Sequence, residues 1–114
     1  MRKKDEIIKS ILTNLVTAEK IEGYAYDHFR QPEAVPTPFA VYRRVAPDNV
    51  PADDVVYHRG DNVDLELYTD TPEDMAELMD AVEEMLTEAG LYFRIAADTA
   101  YIESEDFYET LYET

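Results

Sequence analysis

Between residues 62 and 90 the hydrophobic repeat changes its period once, and that change limits the folds open to this chain. Val63, Leu65 and Leu67 alternate with Asp64, Glu66 and Tyr68, the repeat of two that puts one face of a strand in a core and the other outside. From Pro72 onward Met75, Leu78, Met79, Val82, Met85, Leu86 and Ala89 recur at helical spacing, which predicts a helix over about 72–89. Thr71 is a suitable N-cap, and Pro72 at the first helical position gives up an N–H that would have had no partner. Glu73 and Asp74 meet the positive end of the helix dipole, and Gly90 supplies the left-handed stop. A one-sided strand followed at once by a one-sided helix requires a layered domain in which helix covers sheet.

The rest of the chain extends this pattern. Ile7, Ile8, Ile11, Leu12, Leu15 and Val16 form an apolar stripe and predict a helix over 4–19, with Asp5 and Glu6 in its first turn, Lys20 near its end and Gly23 as its stop. Tyr24, Tyr26 and Phe29 read as a short extended piece, and Pro32, Pro36 and Pro38 exclude a helix after it. Residues 39–45 read as a strand with Phe39, Val41, Arg43 and Val45 on one face and Ala40, Tyr42 and Arg44 on the other. Residues 46–54 form a loop, residues 55–58 a short strand, and Arg59 to Asn62 a turn that makes a hairpin of 55–69. Leu91, Phe93 and Ile95 alternate as a strand, residues 97–100 turn, and residues 101–113 supply one or two terminal strands. The expected fold is a single α+β domain over residues 1–114. It has a mostly antiparallel sheet of four to five strands with two helices packed on one face, in the order α-β-β-β-α-β-β.

Charge is divided unevenly along the chain. Of the formal net charge of −16, none belongs to residues 1–60, where nine basic and nine acidic residues cancel. Residues 61–114 carry seventeen acidic residues against Arg94 alone. Such a surface repels nucleic-acid phosphates and anionic membranes, which need clustered Lys or Arg. There is no cysteine, hence no disulfide, thiolate nucleophile or Cys-ligated zinc. No run of apolar residues is long enough for a membrane helix, and the basic Met1-Arg2-Lys3-Lys4 start leads into an amphipathic stretch, so a soluble protein is expected.

Side-chain sets that carry chemistry are sparse. His28 and His58 stand apart from Ser10 and Ser104, and neither serine has the context of a nucleophile. Three scattered glycines make no phosphate loop, and Arg59-Gly60-Asp61 is a hairpin turn. Asp53-Asp54 and the row Glu73, Glu77, Asp80 and Glu84 lack the spacing of a calcium loop and read as solvated carboxylates. The sequence predicts neither a catalytic set, a metal site nor a cofactor. It does hold nine tyrosines, and those exposed on strands are favoured interface residues. A small domain with a long β surface, many tyrosines and two electrically unlike halves fits a self-assembling component.

Five features taken together carry a resemblance: the N-terminal amphipathic helix, the strand Pro38-Phe39-Ala40-Val41-Tyr42, the strand ending Leu65-Glu66-Leu67-Tyr68-Thr69, the helix opening Pro72-Glu73, and the tyrosine-rich end from Tyr101 to Glu113. In this order the chain resembles the tail terminator, or tail-completion, proteins of long-tailed bacteriophages and prophages. The resemblance implies an α+β subunit of a homohexameric ring that caps the head-proximal end of the tail tube, stops its polymerisation and docks the head–tail connector protein. DNA would pass through the hole without specific binding, and the protein would sit in the virion tail after assembly in the host bacterial cytoplasm. The partners implied are further copies of the chain, the tail tube protein and the connector.

A ring needs a heterologous interface, so two different surfaces of the subunit must complement each other. The cations Arg43, Arg44 and Arg59 of the balanced half are expected to meet Glu73, Glu77, Asp80 and Glu84 of the acidic half across subunits. The loop bearing Asp48, Asn49, Asp53 and Asp54 is the candidate docking arm. The competing reading is an acidic DNA mimic, or an adaptor, that binds a basic protein.

Overall fold

The computed structural model describes residues 3–29, 35–45 and 62–114. Their elements follow the order α1 (Lys4–Thr17), β1 (Gly23–Tyr26), β2 (Phe39–Val45), β3 (Asn62–Thr69), α2 (Pro72–Glu88), β4 (Arg94–Ile102) and β5 (Phe107–Glu113). The strands make one sheet in the order β1-β2-β3-β5-β4. Three of its four pairings are antiparallel, and β1 runs parallel to β2. This is the α+β class expected, with the same element order. The hairpin partner expected at 55–58 lies outside the described residues; the first of the three strands before α2 is instead the extended piece 23–26.

One face of the sheet lies under both helices. Ala40 and Tyr42 of β2, Val63, Leu65 and Leu67 of β3, and Tyr112 of β5 pack with Ile8, Ile11, Leu12 and Leu15 of α1 and Met75, Leu78, Val82 and Leu86 of α2. Register explains the selection: Tyr42 stands opposite Leu65, and Leu65 opposite Tyr112, so one cross-strand row feeds the core. Tyr112 is fully buried, and its hydroxyl donates to Glu83 of α2 at 2.7 Å, which ties that helix to the sheet. Burial first, and then the hydrogen bond to Glu83, push the Tyr112 phenol far above its usual range, so it is a donor at neutral pH. Thr110 and Thr69 are the polar side chains fully buried on this face, and both find acceptors, Met79 Sδ and the Thr71 carbonyl.

Both helices end in the same way. Gly90, at φ 77°, gives its N–H to Thr87 while Leu91 N–H reaches Leu86, the paired hydrogen bonds of a Schellman stop. In α1 the same pair runs from Glu19 to Val16 and from Lys20 to Leu15, with Glu19 itself at φ 61°. Gly23 is therefore not the stop of the first helix; it opens β1, and Glu19 takes the left-handed position. At the other end of α2 the Thr71 side chain accepts from Asp74 N–H at 3.0 Å, as the cap signal requires.

The expected strand at Leu91 to Ile95 and turn at 97–100 are both corrected. The Schellman stop holds Gly90 and Leu91 out of the sheet, so β4 begins only at Arg94. Asp98 and Thr99, read as turn residues, are instead accommodated inside β4 by two irregularities of register against β5, between Ile95 and Ala97 and between Ala97 and Ala100. Thr99 is left-handed there, at φ 53°, and its N–H is satisfied by the Thr110 hydroxyl at 3.0 Å. The turn falls later, at 103–106, where Glu105 and Asp106 N–H both point to the Ile102 carbonyl. No helix among the described residues is long and apolar enough to cross a membrane.

A glutamate in the left-handed region carries a steric cost that glycine avoids. Glu19→Gly is expected to raise the stability of the domain by about 1 kcal/mol, measured by urea unfolding. Tyr112→Phe removes the tie to Glu83 without opening a cavity and is expected to cost about 1 kcal/mol in the same measurement.

Candidate functional site

The second face of the sheet has no helix over it. Cross-strand register arranges its side chains in rows. Arg43, Asp64, Glu113 and Arg94 follow one another across β2, β3, β5 and β4, then Val41, Glu66, Leu111 and Ala97, then Phe39, Tyr68, Glu109 and Ala100. The first row is charged, the last is aromatic at its β2–β3 end, and Glu66 lies between them.

Glu66 is the polar centre of this face. Its side chain is 11% exposed although no helix covers it. Arg43 donates to one carboxylate oxygen at 2.7 Å, and the Tyr68 hydroxyl stands 2.7 Å from the other. Arg43 also reaches Asp27 through Nε at 3.1 Å, and the His28 ring lies 3.0 Å from the second oxygen of Asp27. Asp27 is held in this position by a left-handed φ of 71° and by its N–H donating to the Tyr42 carbonyl at 2.7 Å. The His28 hydrogen bond first, then that of Arg43, hold the Asp27 carboxyl below its usual range.

Beside this network lies an aromatic cluster. Phe39 stacks on Tyr68 with ring centroids 4.8 Å apart, and Phe107 meets Tyr68 and Phe39 edge-on at 5.1 and 5.8 Å. Phe29 closes the group against Phe39 at 5.3 Å, edge-on. The Tyr68 phenol is pushed far above its ordinary range by burial and by the carboxylates of Glu66 and Glu109 that it faces.

The residues singled out from the sequence are distributed as follows. Glu73, Glu77, Asp80 and Glu84 line the exposed side of α2, a helix with seven acids and no base. Arg43 lies on the opposite side of the sheet and is engaged within the chain by Glu66 and Asp27. Arg44 is exposed at the end of β2, on the helix side, and its backbone N–H donates to the Tyr26 hydroxyl at 3.2 Å. Arg59 and the loop residues Asp48, Asn49, Asp53 and Asp54 lie outside the described residues. Arg94, the remaining described arginine, pairs with Glu113. The lysines of α1 and its flanks, Lys3, Lys4, Lys9 and Lys20, make no ion pair among the described residues.

The helices therefore divide the covered side unequally. α1 packs over β1, β2 and β3, and α2 over β3 and β5. α1 with its lysines stands toward the β1 edge, and α2 with its carboxylates toward the β4 edge. On the edge strand β4, Ile95 and Tyr101 are 38 and 50% exposed, and Tyr92, just before the strand, is 94% exposed. Among the described residues no three metal-ligating side chains converge. Comparison of the chain with protein-family models, with curated proteins and with solved structures finds no match.

One carboxylate of the open face is itself under strain. Burial, and then repulsion from Glu113, push the Asp64 carboxyl above its ordinary value of 3.8, with Arg43 opposing. A carboxyl raised in the folded state holds its proton more tightly there than when unfolded, so its ionised form costs stability at neutral pH. That cost disappears as the pH falls below the unfolded value of about 3.9. Asp64→Asn is expected to be more stable than the parent at pH 7, with the difference closing below about pH 4; thermal unfolding across pH checks it.

Proposed function

We propose that this chain is a structural subunit that assembles head to tail into a ring of the tail-terminator type. The observation that carries this reading is a charge difference across the sheet: α1 and its flanks balance Lys3, Lys4, Lys9 and Lys20, none in an ion pair among the described residues, against Asp5, Glu6, Glu19 and Glu22, whereas α2 bears seven acids and no base. Two unlike, complementary sides on opposite edges of one subunit are what a heterologous interface uses, and such an interface closes into a ring when its rotation allows. Exposed Ile95 and Tyr101 on β4, with Tyr92 just before it, supply apolar contact area at the β4 edge.

On this reading Glu73, Glu77, Asp80 and Glu84 are anionic interface residues. Lys3 and Lys9, exposed on the α1 side, replace Arg43 as their counterparts, because Arg43 is already held by Glu66 and Asp27. A hexamer capping the tail tube and docking the connector is the assembly that the resemblance implies. The same acidic helix face also supports the second reading, an adaptor or DNA mimic that binds a basic protein.

Sedimentation equilibrium over a range of protein concentration separates the two. The ring reading expects a closed oligomer whose association weakens as salt rises. Lys3→Glu with Lys9→Glu is expected to weaken association by about tenfold, and adding Glu77→Lys with Glu84→Lys to restore part of it. A strict monomer at every concentration, with a soluble complex formed on a basic DNA-binding protein, would favour the mimic.

A further inference from the structure

The open face holds a shallow cavity of about 350 Å³, lined by the rings of Phe29, Phe39, Tyr68 and Phe107 and by Glu105 and Glu109; Arg43 and His28 line it too, but Arg43 is held by Glu66 and Asp27 and His28 by Asp27. Two features of the cavity determine the chemistry of an occupant. The first is a count of protons. The Tyr68 hydroxyl stands 2.7 Å from Glu66 and 2.9 Å from Glu109, yet it has one proton to give. Glu66 has Arg43 as a second donor, whereas Glu109 has no cation among the described residues, nor has Glu105. Glu109, which is partly exposed, therefore keeps acceptor capacity for a donor that enters the cavity. The second feature is the shape of the floor. Four rings in stacked and edge-on contact line the cavity, and an aromatic wall of this kind attracts a flat, weakly hydrated cation.

A guanidinium meets both demands. It is planar, stays charged at all relevant pH, stacks on aromatic rings and donates in a fork to carboxylates. An ammonium supplies the charge without the plane, and an apolar group leaves the rim carboxylates unmatched. We propose that this cavity binds an arginine side chain presented by a partner protein, with the guanidinium over Tyr68 and Phe107 and its N–H groups directed to Glu109 and Glu105. The site lies on the opposite side of the sheet from the two helices, so it does not depend on the ring reading. A subunit assembled through its helices would still present this cavity.

The test is an NMR titration of the full chain with the blocked tripeptide acetyl-Gly-Arg-Gly-amide. Its citrulline counterpart, equal in shape but uncharged, and its lysine counterpart serve as comparisons. Saturable shifts centred on Phe39, Tyr68, Phe107 and Glu109 are expected, with affinity lower by about tenfold or more for citrulline and for lysine. Glu105→Gln with Glu109→Gln, both isosteric, is expected to abolish those shifts while the amide spectrum elsewhere is retained. An equal response to citrulline, an equal response to lysine, shifts confined to the α2 carboxylates, or no saturation by about 20 mM peptide would each overturn the proposal. The citrulline and lysine comparisons use the unaltered chain, so they decide the matter even if the double variant fails to fold.

Discussion

The structure depends on the central strand β3 having two faces and one helical cover. Val63, Leu65 and Leu67 are sealed under α1 and α2, and this row holds the helices to the sheet. Each residue between them must then be accommodated on a face without helices. Glu66 is nearly as buried as the core, and it is tolerated because Arg43 neutralises it and Tyr68 stands at its other oxygen. Phe39 and Phe107, from the strands on either side of β3, shield Tyr68 in turn. Two unlike surfaces follow from one alternating strand.

The same geometry decides which charges remain for other molecules. Long-range pairing on the open face engages Arg43 and Arg94, so arginines that look available in the sequence are occupied in the fold. The described lysines, on α1 and its flanks, make no ion pair, and α2 carries seven acids and no base, the densest run of unpaired anions in the chain as described. The helices lie side by side and share β3, but α1 extends over β1 and β2 and α2 over β5, so the lysines and the α2 acids are set apart across the width of the sheet. Among the described residues the balanced charge of α1 thus lies toward the β1 edge and the acidic charge of α2 toward the β4 edge.

Much of this was legible in the chain. The Thr71-Pro72 start and Gly90 stop locate α2 to within a residue, and the alternations at 39–45 and 63–69 locate β2 and β3, because each signal is local. The misreadings have two causes, one long-range and one local. Asp98 and Thr99 prefer turns, yet β5 holds them in a bulged strand through Thr110. Glu19 ends a helix in place of the more suitable Gly23, through local hydrogen bonds from Glu19 to Val16 and from Lys20 to Leu15. The open-face network was missed because Arg43 and Glu66 are 23 residues apart and Tyr68 and Glu109 41 apart. One hint was present: Phe39 and Val41 are apolar on the face of β2 opposite Ala40 and Tyr42, which a strand with one wet face does not need.

Zero-length carbodiimide coupling, which joins only amines and carboxylates already in contact, tests the polarity most directly. The assembled protein would be prepared from a mixture of isotopically light and heavy chains, so that links between chains are distinguished from links within one. The account predicts mixed-isotope links from Lys3 or Lys9 to Glu73, Glu77, Asp80 or Glu84. Links between chains that avoid α2, or an assembled sample with none from the α1 lysines, would contradict it.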